Sequence, residues 1–152
     1  MQVTEVTVDS YEQEGITLSY MELTRDFAEI RDYCLHKGET IIGYTESKEA
    51  VNIRVEDILY FEAVGELVFA YLEQSMYEIH RRLYQVEANL QQKYIRRASK
   101  SMLINVDRII SVRSALNGRL YAKMENGEDV LISRNYAKQI ANCIMEDCDE
   151  GI

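Results

Sequence analysis

The sequence has no proline, no tryptophan and only two histidines. Without proline, glycine and asparagine are left to mark turns and the ends of elements. No apolar run approaches the roughly 20 residues that a membrane-spanning helix needs. The first residues are polar and acidic, unlike a signal peptide. We therefore predict a cytoplasmic protein without a membrane segment.

Cysteine is scarce too, and the common catalytic motifs are missing. Cys34, Cys143 and Cys148 are an odd number without a C-x-x-C pair, which argues against a disulfide framework and against a zinc site. There is no Gly-rich phosphate loop, no G-x-S-x-G and no H-E-x-x-H, and His36 lies far from His80. We predict no enzyme activity, no cofactor, no metal and no small-molecule substrate. Whether a cysteine senses oxidants is left open.

Positive charge is low overall but concentrated in one segment. The 152 residues carry a net charge of −9. Residues 1–50 hold four basic and 11 acidic side chains, whereas residues 94–138 hold nine basic and four acidic ones. An acidic surface repels nucleic acid, but a basic segment within an acidic chain indicates a localised binding face.

The centre of this segment is residues 94–108, where a basic, hydroxyl-rich run passes into the apolar residues 102–104. Its candidate polar side chains are Arg96, Arg97, Ser99, Lys100 and Ser101. Arginine, lysine and serine side chains held on a fixed backbone suit phosphate oxygens and base edges. The alternative is a surface strand and loop whose charges are only solvated.

Arg134 is a second candidate because it follows Ser133 at the first turn of a predicted helix. The start of a helix attracts anions through its free backbone N–H groups, so a basic side chain there is well placed to reach a nucleic-acid groove. The alternative is a solvated charge in a slightly unfavourable position.

Short β-rich runs with polar or glycine-containing breaks predict an all-β sheet arrangement and not βαβ units. The predicted strands are residues 3–8, 40–45, 51–55, 58–63, 67–72, 95–98, 102–104, 109–113, 120–124 and 129–132. Asn117-Gly118 and Asn126-Gly127 lie between such runs. Each pair predicts a hairpin, because both central residues of a type I′ turn need positive φ.

Helical spacing of apolar residues predicts three short helices. In the first helix, Ser19 and Glu22 have capping-box spacing, Gly38 is placed to end the helix, and the apolar stripe packs on the rest of the protein or, alternatively, on a second copy. This stripe is Leu23, Phe27, Ile30 and Cys34. The second helix follows residues 76–80 and has Leu83, Val86 and Leu90 on one face. The third is capped by Ser133, with Tyr136, Ala137, Ile140 and Ile144 facing inward.

These patterns predict a mostly β protein with short helices, of the α+β class. We divide it into an acidic segment with one amphipathic helix over residues 1–39, a domain over residues 40–147 and a frayed tail over residues 148–152.

Over residues 40–146 the chain resembles the LytTR-type DNA-binding domain of bacterial transcriptional regulators. The resemblance rests on residues 58–62, on residues 97–101 leading into Ile104-Asn105, and on Asn126-Gly127 before residues 132–136. It implies a LytTR-like arrangement of small antiparallel sheets, preceded here by the helical segment. It also implies that loop side chains are inserted into successive major grooves of double-stranded DNA.

The resemblance assigns roles to single residues. Lys100 matches a base- or phosphate-contacting position, Arg134 matches the arginine that enters the second groove, and Asn105 matches an end-of-strand asparagine that is either a contact or structural. Ser99 stands where a histidine is frequent, and the family's third contact loop, residues 64–67, carries Glu66 and no basic residue. The remaining candidate DNA-binding residues, chiefly for phosphates, are Arg96, Arg97, Ser101, Arg119 and Asn135.

The expected function is a sequence-specific transcriptional regulator that acts as a homodimer on two promoter half-sites. The resemblance further implies a stand-alone type without a receiver domain, and a small membrane protein as partner. The alternative is a protein-interaction module of the same fold that has lost DNA binding, an idea motivated by the acidic first helix and by Glu66. In a third hypothesis, the acidic segment inhibits DNA binding until a partner removes it.

Overall fold

The computed structural model describes residues 4, 6, 7, 15–36, 38–90 and 94–149. The chain divides into two compact units, Met1–Lys37 and Gly38–Ile152. Of the predicted strand at residues 3–8, residues 4, 6 and 7 have no regular structure, and the others lie outside the described residues. The end of the predicted tail, residues 150–152, also lies outside them, whereas residues 148 and 149 belong to a helix.

The first unit contains one helix, α1 (Arg25–His36). The carbonyl of Thr24 accepts the N–H of Ala28 at 3.0 Å, so the helical hydrogen bonding begins there. The predicted capping box of Ser19 and Glu22 is therefore wrong, because both residues precede the helix. The predicted helix itself is confirmed.

The second unit is built from ten strands and two helices within its described residues. The strands are β1 (Thr40–Tyr44), β2 (Ala50–Arg54), β3 (Tyr60–Val64), β4 (Leu67–Tyr71), β5 (Met76–Ile79), β6 (Ile95–Ser99), β7 (Met102–Asn105), β8 (Ile109–Ser114), β9 (Leu120–Met124) and β10 (Asp129–Ile132). The helices are α2 (Leu83–Asn89) and α3 (Arg134–Asp149). All strand pairs are antiparallel, which confirms the predicted mostly β, α+β class.

The strands form two sheets. The larger sheet has the order β2-β1-β5-β4-β3-β7-β6, and the smaller has the order β10-β9-β8. Successive residues of a strand point to opposite faces of its sheet, so Leu103 and Ile104 of β7 enter two different cores. Both side chains are fully buried.

The two cores lie on the two faces of the larger sheet. The first contains Phe61 and Leu103 of the sheet together with Val86 of α2. The second contains Ile104 of the sheet, Ala122 of the smaller sheet and Ile140 of α3. Burying each large aliphatic side chain contributes about 1.5–3 kcal/mol, so these contacts hold α2 and α3 on opposite sides of the larger sheet.

The two Asn-Gly turns differ. At the β8–β9 turn, Asn117 and Gly118 have φ values of 62° and 74°, and Arg119 N–H donates to the Leu116 carbonyl at 3.4 Å. This fits the predicted type I′ turn. At the β9–β10 turn only Gly127 has positive φ, because the Asn126 side chain instead accepts the N–H of Glu128 at 3.1 Å. The hairpin prediction holds there, but the type I′ turn is wrong.

Candidate nucleic-acid interface

Three turns and the start of one helix lie close together at one end of the second unit. The N–H of Ala63 donates to the Ser101 carbonyl at 2.8 Å, and the N–H of Ser133 donates to the Ala98 carbonyl at 2.9 Å. A Cβ atom on Gly118 would lie 3.1 Å from Cγ of Arg134. These contacts bring together residues 64–67, 99–101, 116–119 and 133–135, which we call the turn surface.

Lys100 is the exposed tip of the β6–β7 turn. Ser101 N–H donates to Ser99 Oγ at 3.3 Å, and the two hydroxyls lie 3.4 Å apart. The guanidinium of Arg97 donates to the Lys100 carbonyl at 3.2 Å. The backbone of the turn is thus held by its neighbours, while the Lys100 ammonium forms no ion pair with any residue that the structure describes.

Arg97 holds this turn instead of facing solvent. Its side chain is only 17% exposed and forms an ion pair with Glu87 of α2 at 2.6 Å. Its guanidinium is thus committed to a carboxylate and to the Lys100 carbonyl. These contacts give Arg97 a role in holding the turn, and its contact with phosphate stays a prediction.

Arg96 lies on the other face of the larger sheet. It pairs across the sheet with Ile104 of the second core, whereas Arg97 pairs with Leu103 of the first. Its Nε atom is buried and makes no hydrogen bond within the described part of the chain. Arg96 and Arg97 therefore lie on opposite faces of the sheet, since alternate strand residues point to opposite faces, and a phosphate contact by Arg96 stays a prediction.

Arg134 and Asn135 begin α3 and are both exposed. The methylene groups of Arg134 lie against Gly118, where a Cβ would come within 3.1 Å of Cγ and 3.3 Å of Cδ. The neighbouring Arg119 is half-buried, and its Nε donates to the Leu116 carbonyl at 3.0 Å. The β8–β9 turn thus supports Arg134 and adds a second guanidinium beside it.

Asn105 is not part of the turn surface. Its side chain is buried, with a 1% exposed fraction. Its amide Nδ2 donates to the Ile58 carbonyl at 2.9 Å, and its Oδ1 accepts the N–H of Asp107 at 3.1 Å. Because a buried amide cannot reach a groove, we remove Asn105 from the candidate DNA contacts and assign it a structural role.

Other basic residues of the 94–138 segment are engaged elsewhere. Arg108 forms an ion pair with Glu125 at 3.2 Å. Arg113 lies 4.6 Å above the Tyr121 ring and pairs with Asp129 at 3.1 Å. The hydrogen bond from Arg113 lowers the pKa of the Asp129 carboxyl. The positive charge of the segment is therefore spread over several surfaces, and Lys100 and Arg134 are the exposed cations on the turn surface.

Arg82 is a basic residue that the sequence did not place near Lys100. A cleft of about 350 Å³ separates the β3–β4 turn, the start of α2 and the β6–β7 turn. It is lined by Ala63, Gly65, Glu66, Leu67, Val68, Arg82, Leu83, Tyr84, Arg97 and Lys100. Across the cleft, Arg82 Nη2 donates to Glu66 Oε2 at 2.7 Å. The pair is 16 residues apart in the chain, and no spacing pattern signals such a contact.

Among the described residues, no group of three or more His, Cys, Asp or Glu side chains is arranged to hold a metal ion. None of the helices that the structure describes is long and apolar enough to span a bilayer.

The fold has a counterpart among solved structures. A LytTr DNA-binding domain from Bacillus cereus superimposes with a TM-score of 0.63 at 20% sequence identity, covering 68% of this chain and 94% of that one. The second unit thus has the fold of a LytTr-type domain.

The sequence of this chain is similar to those of a known domain family and of several regulators. A family model described as the LytTr DNA-binding domain matches residues 48–145. A Staphylococcus aureus protein named as an uncharacterized HTH-type transcriptional regulator is 31% identical over 106 residues, which are 70% of this chain and 71% of that protein. A protein with a similar name from strain MRSA252 is 30% identical over the same length. This chain belongs to the LytTr DNA-binding domain family, which is a family of DNA-binding domains and not of enzymes.

Proposed function

We propose that this protein is a sequence-specific transcriptional regulator that binds double-stranded DNA with its turn surface. The observation that carries this proposal is the pair of exposed cations, Lys100 and Arg134, on two elements joined by the 2.9 Å hydrogen bond from Ser133 to Ala98. Because their backbone segments are hydrogen-bonded to each other, the two cations can approach DNA from one surface. Membership of a DNA-binding family supports the same function.

The chemistry of the turn surface suggests a division of roles. Lys100 and Arg134 would donate to base edges in the major groove, where guanine N7 and O6 accept hydrogen bonds from lysine or arginine. The exposed Ser101 and Asn135, together with Arg119, would donate to backbone phosphates. Ser99 would act indirectly by holding the turn that carries Lys100.

The assembly and partners of the regulator follow from the same proposal. A homodimer would bind two half-sites, because two-fold symmetry of a protein is matched by repeated half-sites spaced by whole helical turns. The homodimer, the cytoplasmic location and a small membrane protein as regulatory partner stay predictions.

A DNA-binding titration tests the proposed function. The purified protein is titrated with the DNA upstream of its own gene and with random duplex of equal length, across a salt series. We expect a large preference for the upstream DNA and a steep salt dependence, because phosphate contacts release counterions. Equal and weak binding to both duplexes would contradict the proposal and favour the protein-interaction module.

Substitutions at the turn surface link the binding to the site. Arg134→Ala and Lys100→Ala should each weaken specific binding by about 1–3 kcal/mol, and Arg134→Ala should relax the preference at one base position. Lys123→Ala is the matched control, because Lys123 is exposed on β9 away from the turn surface. An Arg134→Ala protein that binds as tightly as the parent would rule out the assigned role.

A further inference from the structure

The ion pair of Glu66 and Arg82 lies beside Lys100 on the turn surface. Glu66 is in the β3–β4 turn, and its side chain is 83% exposed, while the side chain of Arg82 is 55% exposed. Nη2 of Arg82 lies 2.7 Å from Oε2 of Glu66. Both residues line the same cleft as Lys100.

A carboxylate is unexpected at this position if the turn surface binds DNA. An unpaired Glu66 would repel phosphates, which weakens binding to a polyanion. The contact with Arg82 offsets that charge and places the guanidinium beside Glu66. A guanidinium has five N–H donors, so the bond to Glu66 leaves donors for a second acceptor.

The position of Arg82 indicates what this second acceptor is. A turn that enters the major groove, which is about 12 Å wide, has a phosphate backbone on each side. Residues beside the turn therefore reach phosphates and not bases. Arg82 lines the same cleft as Lys100, the tip of the β6–β7 turn. Its neighbour Arg81 is exposed too; it lines an adjoining depression, which Glu66 and Arg82 also line, but it does not line the cleft that contains Lys100.

Building on the proposed function, we propose that Arg82 is a further DNA contact, which binds a backbone phosphate beside the groove entered by Lys100. Glu66 is its positioning residue, which holds the guanidinium without touching the DNA.

The first test compares two adjacent arginines. A duplex is selected from a randomised pool by the parent protein, and its affinity for the parent, Arg82→Ala and Arg81→Ala proteins is measured across a salt series. Loss of one phosphate contact should lower the slope of log affinity against log salt by about one. We expect that change for Arg82→Ala and a clearly smaller one for Arg81→Ala. Equal changes for both variants would overturn the proposal, because they would reflect only the loss of general positive charge.

The second test separates positioning from simple repulsion. Glu66→Ala is made in the parent and in the Arg82→Ala background. A positioning Glu66 predicts opposite signs, with weaker DNA binding in the parent but tighter binding in the Arg82→Ala background, where the carboxylate is unpaired. Tighter binding in both backgrounds would overturn the positioning role. Thermal unfolding of each variant, with an unchanged midpoint expected, shows that the fold is retained.

The outcomes distinguish the two proposals. If the parent protein enriches no duplex from the pool, the proposed function fails and the role of Arg82 fails with it. If the parent binds a selected duplex, and Lys100→Ala weakens this binding while Arg82→Ala does not, only the further inference fails.

Discussion

Asn105 joins three backbone segments at the end of β7. Its N–H donates to the Leu59 carbonyl at 2.8 Å, and its side chain donates to the Ile58 carbonyl and accepts from Asp107 N–H. These bonds tie β7 to the residues that precede β3. Because leaving a buried polar group without its partner costs about 1–3 kcal/mol, this asparagine stabilises the packing of the second unit.

Substitution of Asn105 should affect stability but not DNA affinity, whereas substitution of Asn135 should affect DNA affinity but hardly stability. Asn105→Ala should lower the free energy of unfolding by about 1–3 kcal/mol and leave DNA affinity unchanged well below the melting temperature. Asn135→Ala, at an exposed position, should change stability by less than about 0.5 kcal/mol and weaken DNA binding. Denaturant unfolding and DNA titration of both proteins measure this. If the Asn105→Ala protein is folded but loses DNA affinity, Asn105 is a DNA contact and not only a structural residue.

Residue type alone does not show which cations of the 94–108 segment are exposed and which are engaged by other residues. The sequence marks Arg96, Arg97 and Lys100 equally as basic. Strand alternation divides the first two between faces, and Glu87 of α2 then engages Arg97. The sequence does not show which acidic residue a distant helix brings to a strand, so it predicted the presentation of Lys100 but not the internal role of Arg97.

At the level of elements, the two Asn-Gly hairpins offer a comparison within one molecule. Gly118 and Gly127 both have positive φ, at 74° and 84°. A Cβ on Gly118 would press on the Arg134 side chain, whereas a Cβ on Gly127 would meet nothing within 4 Å. Both positions therefore require a residue that adopts positive φ, but only a side chain at position 118 would contact Arg134 of the turn surface.

Alanine at each glycine separates the effect on stability from the effect on binding. Gly118→Ala and Gly127→Ala should each cost about 1 kcal/mol of stability, because an L-residue is strained in the left-handed region. Only Gly118→Ala should also weaken DNA binding, since its methyl group displaces Arg134. Thermal unfolding and DNA titration of the two proteins test this. Equal DNA affinities at equal stability would show that the placement of Arg134 does not depend on Gly118.

The elements themselves were largely predictable, but their neighbours were not. β9 and β10 begin and end at the predicted residues, because apolar runs between Asn-Gly pairs are strong local signals. The order of the larger sheet was not predictable, since β5 pairs with both β1 and β4 and β3 pairs with both β4 and β7. Pairing across such distances in the chain depends on tertiary packing, which local patterns do not contain.

For the whole molecule, charge and packing separate the two units. Residues 1–37 hold three basic and eight acidic side chains, which is more than half of the net charge of −9. Both hydrophobic cores are composed of residues between Ile41 and Ile144. The second unit thus contains the complete buried cores that the structure describes.

This distribution predicts the behaviour of a fragment. Residues 38–152 should fold cooperatively alone and bind DNA more tightly than the full chain at low salt, because five net negative charges are removed. The gain should shrink as salt screens the charges. Circular dichroism melting and DNA titration across a salt series measure both effects. Weaker binding by the folded fragment would contradict the prediction and give residues 1–37 an assembly role.

The turn surface draws each exposed group from a different hairpin or helix start, while the buried residues lie in the strands behind them. A substitution at an exposed tip leaves the buried strands behind it intact, although tips in contact, such as Gly118 and Arg134, influence each other. If the turn surface binds DNA as we propose, new operator specificities would arise by substitution at its exposed tips, without change to the buried scaffold.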